Sequence, residues 1–391
     1  NNIEHLTGNP DSMYIDYFFD TRKGPIVMEV PKTLPGLLDD FWELPVVDII
    51  PQVSSSGKYL IVPPGWKGEA PKGHVVARPN TYTSWMLLRG NVQQTANGPD
   101  ARAAVNEMKT KLKIYPLSAL NNPSARPKLQ YFDMSDMVID RIAPEGIAFF
   151  ERLAEVIANE PPTQTDAFAM GLMKAIGLEP GKPFKPDTRM TAILERAAET
   201  GKAMARTIAF HGGPEWRHWP DRRFNEAFMG GSPSFMLDGH VNHDARTAFF
   251  YMACATSKLM ASTTPGVGQA YPWVAKDAAG KIFDGGKKYK MHLPPNIPAK
   301  LYWSVTAYDN LTRSELHNGT PFSRISQFTK PKANDDGSFD LFFGPNVPPG
   351  EDANWIKTVP GKGWFILFRL YGPEKEYFDR SWTPDDLVEI N

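Results

Sequence analysis

Residues 58–90 read KYLIVPPGWKGEAPKGHVVARPNTYTSWMLLRG, three apolar runs cut by the breaks PPGWKG and RPNTYT. Val, Ile, Tyr and Trp fill the runs and Gly, Pro and Asn fill the breaks, which is the chemistry of short strands joined by tight turns. Breaks recurring roughly every eight to twelve residues match the spacing of a β-sandwich. Working upstream, 14–30 (YIDYFFDTRKGPIVMEV) alternates around TRKGP and predicts a hairpin. The run 34–49 (LPGLLDDFWELPVVDI) sets Asp39 and Asp40 against Phe41 and Trp42, and paired acids at such a place read better as turn caps than as an acid–base pair.

Downstream the period changes. Residues 100–114 read as a helix with Ala101, Ala104, Val105, Met108 and Leu112 on one side. Helical spacing then marks 144–157, 165–176 and 187–208, interrupted by a Gly/Pro/Trp-rich segment at 211–234. From Tyr271 strand character returns, with 301–309, 338–344 and 363–373 as core strands. The predicted class is α+β and multidomain. Two antiparallel, jelly-roll-like β-sandwich domains, 1–132 and 263–391, flank a mainly helical segment, 133–262.

Composition narrows the function. The net charge is −1, with no basic block, which argues against a nucleic-acid partner. No apolar run approaches the length of a membrane span, so none is expected. The single cysteine, Cys254, forbids an intrachain disulfide and reads as core packing.

The stretch richest in chemistry is 235–260, FMLDGHVNHDARTAFFYMACATSKLM. Phe249, Met252, Ala253, Thr256 and Met260 fall on one helical face, with Asp244 as the expected N-cap. Arg246 opposes the helix dipole there, so a carboxylate or an anionic ligand is its expected partner. The strand end TAYDNLTRS adds Tyr308, Asp309, Asn310 and Arg313, and YPW adds Trp273. The catalytic candidates are Asp244, Arg246, Tyr308 and Asp309, with Trp273, Asn310 and Arg313 as substrate-binding candidates. Against this stands a reading in which the charged members lock domains together as salt bridges. A second candidate is a divalent-metal site using His211, His218, His240 and His243, chosen on ligand type because the spacing fits no standard motif.

Several long segments resemble a known pairing. LLDDFW, PPGWKG, IYPL (114–117) and LEPGKPF are similar to the domain of unknown function 1254. DARTAFFYMA, KDAAGKIFDGGKKYKMHLPPNIPAKLYWSVTAYDNLTRS, NWIKTVPGKGWF, FRLYGP and FDRSWTPDD resemble the domain of unknown function 1214. The resemblance implies two β-sandwich domains around a helical segment, further chain before Asn1 carrying a secretion signal, and a periplasmic or secreted bacterial protein. It supplies no catalytic residues. The expected function is a polar or anionic ligand pocket, leaning to a hydrolase or lyase acting on a small or polymeric polar substrate. The alternative is a carbohydrate-binding or assembly module working through exposed Trp216, Trp219 and Trp273. A homo-oligomer is compatible with either.

Overall fold

The computed structural model describes residues 3–50, 57–90, 106, 108–134, 137, 139–162 and 167–391. The chain opens with β1 (Ile3–Glu4), β2 (Tyr14–Asp20), β3 (Ile26–Glu29), β4 (Gly36–Asp40) and β5 (Pro45–Ile49). It continues with β6 (Lys58–Ile61), β7 (Val75–Ala77), β8 (Thr83–Arg89), β9 (Lys113–Pro116) and β10 (Ile139–Asp140). One four-stranded sheet runs β2-β8-β4-β5 and another β7-β6-β3-β9, while β1 pairs in parallel with β10. A single apolar cluster joins the two four-stranded sheets: Phe19, Leu38, Met86 and Leu88 from one meet Met28, Tyr59, Ile61 and Ile114 from the other.

The hairpin expected at 14–30 does not form. β2 pairs with β8, and β3 pairs with β6 and β9, so the TRKGP turn carries the chain from one sheet to the other. Alternation reveals that a strand has a buried face but does not name its neighbour. The helix expected at 100–114 lies partly outside the described residues. Positions 108–111 are helical, and Ile114 belongs to β9.

The middle of the chain is helical as expected: α1 (Ile147–Asn159), α2 (Ala167–Ala175) and α3 (Thr188–Phe210). Asp187 caps α3 by accepting from the Met190 N–H at 2.7 Å. A short antiparallel pair, β11 (Met236–Leu237) and β12 (His240–Val241), precedes α4 (His243–Met252). The cap of α4 is Asn242, whose Oδ1 accepts from Ala245 N at 3.0 Å, so Asp244 sits within the first turn rather than capping it.

The helix also stops eight residues short of Met260. Beyond it the Ala255 N–H donates to Glu43 Oε2 at 3.4 Å and the Thr256 N–H to Asp39 Oδ2 at 2.8 Å. Ala255 takes a left-handed φ of 65°. Carboxylates from the N-terminal sheet region thus claim donors that a longer helix would have kept. Asp40 does cap its own turn, accepting from Trp42 N and Leu44 N.

The C-terminal region comprises β13 (Gln269–Ala270), β14 (Trp273–Val274), β15 (Lys288–Leu293), β16 (Ala299–Asp309) and β17 (Arg324–Ser326). It ends with β18 (Phe339–Gly344), β19 (Trp355–Lys357), β20 (Trp364–Pro373), α5 (Lys375–Phe378) and β21 (Val388–Ile390). One sheet is β13-β20-β16-β17 with β14 also on β20, and the other is β19-β18-β15-β21. Pairing is mainly antiparallel, although β6–β7 and β18–β19 run parallel.

The central strand β20, WFILFRLYGP, is buried along its whole length. Period-two alternation divides its side chains. Trp364, Ile366, Phe368 and Leu370 enter the core shared with β15 and β18, while Phe365 and Leu367 face the opposite way, toward α3 and α4. Arg369 and Tyr371 continue that second face. Among the described residues no helix is long and apolar enough to cross a membrane.

Candidate functional site

A cavity of about 70 Å³ lies where these parts converge. Its floor is the second face of β20, with Leu367, Arg369 and Tyr371, flanked by Tyr271 and Trp273. The N-terminal sheet contributes Tyr14, Leu87 and Arg89 at its edge, and Tyr14 stands directly opposite Arg89 in the β2–β8 register. The last turn of α4 and the irregular segment after it give Phe249, Met252, Cys254 and Met260. The strap 5–9 closes the remaining side.

The polar groups are arranged around Asn9. Its Nδ2 donates to the hydroxyls of Tyr371 at 2.7 Å and Tyr302 at 2.9 Å, and its backbone N–H donates to Tyr14 at 3.1 Å. Tyr302 and Tyr371, opposite each other in the β16–β20 register, stack at 4.1 Å. The Tyr271 hydroxyl donates to Gln269 Oε1 at 2.6 Å. Burial pushes the Tyr14, Tyr271 and Tyr302 hydroxyls above their ordinary range, so all three are neutral at physiological pH. Burial, and then Arg141, push the His5 imidazole down to about 4 against the pull of Asp16, so His5 is neutral as well. Its Nδ1 is buried and has no hydrogen-bond partner among the described residues.

Two guanidiniums line this cavity. Arg369 is 2% exposed and gives Nη2 to the Thr7 carbonyl at 2.7 Å and Nη1 to Thr306 Oγ1 at 3.3 Å. Arg89 is partly buried; it engages the Tyr271 hydroxyl, lies over the Tyr14 ring at 5.9 Å, and has longer contacts to Gln269 Oε1 at 3.4 Å and the Met260 sulfur at 4.0 Å. Among the described residues neither has a carboxylate within 4.0 Å, whereas the acids nearby are committed elsewhere. Asp11 pairs with Arg324, and Asp16 pairs with Arg141 at 3.0 Å. A desolvated cation without a counter-charge is costly. Together with neutral hydroxyl donors, this arrangement can hold a small anion.

Of the residues expected from sequence, only Trp273 lines the cavity. Asp244 is exposed at the start of α4, seven residues or about 10 Å of helix from Tyr251. Arg246, one turn in, is partly buried. Tyr308 is fully buried and donates to the Gly8 carbonyl at 2.6 Å. Asp309 accepts from Lys362 at 2.8 Å and from Leu311 N at 2.8 Å, closing an Asx-type turn. The Asn310 N–H donates to the Gly363 carbonyl at 3.2 Å. Arg313 bonds the Tyr251 carbonyl through Nε at 2.9 Å and lies over the Tyr251 ring at 4.3 Å. The strand-end residues thus tie β16 to α4, β20 and the N-terminal strap.

The four histidines of the metal expectation are not brought together. Among the described residues no three His, Cys, Asp or Glu side chains are placed to hold an ion. His240 and His243 are exposed, and His211 is exposed beside Lys276 at 3.3 Å. His218 is buried, stacked on Tyr377 at 4.0 Å, and pushed down to about 4 by that burial. The aromatic strip is corrected too, because Trp216, Trp219 and Trp273 are all buried. Sequence reading missed Arg89 and Arg369. Their signal was a lone cation closing the apolar run SWMLLR and another inside FILFRLY, where an exposed position is not available.

The fold and the cavity define a mixed α and β protein with several mainly antiparallel sheets and, at their junction, a small, mostly apolar chamber reached by two guanidiniums. The chain matches the family models Protein of unknown function (DUF1254) over residues 2–116 and Protein of unknown function (DUF1214) over 268–375, and it belongs to the proteins that pair these two. No curated protein matches it. The crystal structure of the VPA0106 protein from Vibrio parahaemolyticus is similar at 19% identity and TM-score 0.57, covering 98% of this chain and 90% of that one. A putative uncharacterized protein from Burkholderia cenocepacia aligns at 12% identity and TM-score 0.44, covering 98% and 78%.

Proposed function

We propose that this is a small-molecule-binding protein whose ligand is an anion held in the cavity between Arg89 and Arg369. One observation carries the reading: two guanidiniums line the same cavity, and no carboxylate among the described residues lies within 4.0 Å of either. Binding is favoured over hydrolysis or lyase chemistry because the thiol and hydroxyls of the wall are held protonated and burial leaves His5 a weak base. Burial, and then Glu43, push the Cys254 thiol up to about 12, and the buried tyrosines stay protonated. The reading takes 1–132 and 263–391 as sandwich domains with 133–262 between them. Clusters that draw on both sheets of each pair support this. It also retains the periplasmic or secreted setting implied by the family resemblance, which fractionation of the source cell would check.

The test is a melting-temperature titration of the full chain with small anions at constant ionic strength. A saturable rise that disappears in Arg89→Met is expected. Identical responses in wild type and variant would refute the proposal.

A further inference from the structure

The cavity wall is divided into two chemistries. Arg89, Arg369, Asn9 and the tyrosine hydroxyls supply its polar groups, while Met252, Met260, Leu367, Leu87 and Trp273 supply apolar surface, with the Met260 sulfur 4.0 Å from Arg89 Nη2. We propose that the ligand is a short-chain monocarboxylate, with its carboxylate at Arg89 and its alkyl end against the methionines and Leu367. This rests on the anion-binding reading above and narrows it to a chemical class.

Three features select that class. A tetrahedral oxyanion such as phosphate or sulfate carries oxygens on every side, and here some would be forced against thioether and aliphatic carbon without a donor. A carboxylate gathers both oxygens at one end, where a guanidinium can grip them side by side. The charge count also points to a single carboxylate. Arg369 already spends donors on the Thr7 carbonyl, Thr306 and Tyr308, whereas Arg89 engages the Tyr271 hydroxyl and otherwise has the long contacts to Gln269 and Met260. Arg89 is therefore the primary partner, and Arg369 supplies field. Size sets the chain length: about 70 Å³ is roughly half of the 150 Å³ cavity that accommodates benzene. A few heavy atoms fill it. The buried, unpartnered Nδ1 of neutral His5 on the same wall offers one further polar contact.

The experiment is calorimetric titration of the full chain with acetate, propionate, butyrate and octanoate, with phosphate, sulfate and propionamide as contrasts. Affinity should rise from acetate to propionate or butyrate and fall for octanoate. Phosphate, sulfate and the uncharged amide should bind at least about tenfold more weakly. Arg89→Met should lose about tenfold or more toward propionate while keeping its circular dichroism and melting temperature, and the wild-type series decides the matter if that variant fails to fold. Phosphate or sulfate binding best would overturn the carboxylate class and leave the anion reading standing. Octanoate binding best would overturn the short-chain limit, marking a head-group site for a longer acid. Propionamide binding as well as propionate, or no anion binding at all, would overturn both this inference and the anion reading.

Discussion

Two buried arginine environments a short way apart on the same sheet differ in what surrounds the charge. Arg324, on β17, meets Asp11 from the N-terminal strap, and both side chains are almost entirely shielded. Arg369, on β20, bonds neutral oxygens with the Glu315 carboxyl acting only at longer range, and Arg89 across the cavity meets the Tyr271 hydroxyl, Gln269 and the Tyr14 ring. The first is a closed ion pair that fastens the strap to the sheet. The second is an open charge beside empty space. Burial alone does not distinguish a structural cation from a binding one; the presence of its counter-charge does.

The sharpest way to break this comparison is to open the closed pair. Asp11→Ala leaves Arg324 buried without its carboxylate, and should cost about 3–5 kcal/mol in urea unfolding. A loss under about 1 kcal/mol would erase the distinction between the two environments.

The pH dependence comes next. Burial, opposed by the Ala255 N–H, raises the Glu43 carboxyl to about 7, and burial likewise raises Glu315 to about 7 against the Ser323 N–H and Arg324. Because the folded values lie above the unfolded value of about 4.5, the folded chain binds more protons between the two. Stability should therefore fall as pH rises from about 4.5 to about 7, by about 1–2 kcal/mol per group after allowing for partial exposure. Glu43→Gln should flatten that slope in melts across the range. An unchanged slope would mean Glu43 is solvated in the folded chain.

Smaller still is the cost of removing the open charge. Arg89→Met without ligand should change stability by less than about 1 kcal/mol, with a gain as acceptable as a loss. A large loss would make Arg89 a structural cation like Arg324. The smallest effect belongs to Asp244→Ala at the exposed start of α4. It should cost about 0.5 kcal/mol through the helix dipole and leave anion binding unchanged. Loss of binding there would move the site back to the start of the helix.

The contrast between the two ends of α4 also shows what the sequence could convey. Core strands at 301–309, 338–344 and 363–373 were legible because long apolar runs need no partner information, and Asp187 was legible as the start of α3 because capping is local. The β2–β3 hairpin and the continuation of α4 to Met260 were misread because their outcome depends on distant groups. β8, β6 and β9 take the strands, and Asp39 and Glu43 take the N–H donors at 255–256. The proposed cavity was hidden from the sequence for the same reason. Residues dense in charge at 238–246 are dense because they are solvated, while the cations that face the cavity are single letters within apolar strands.

The central claim, that Arg89 and Arg369 form an open anion site, is tested most directly by crystals grown with 3-bromopropionate and measured at the bromine absorption edge. The account predicts an anomalous peak inside the cavity, on the side of Met252, Met260 and Leu367, with the carboxylate toward Arg89. A fully ordered cavity with no peak, or a peak only at surface lysines, would contradict it.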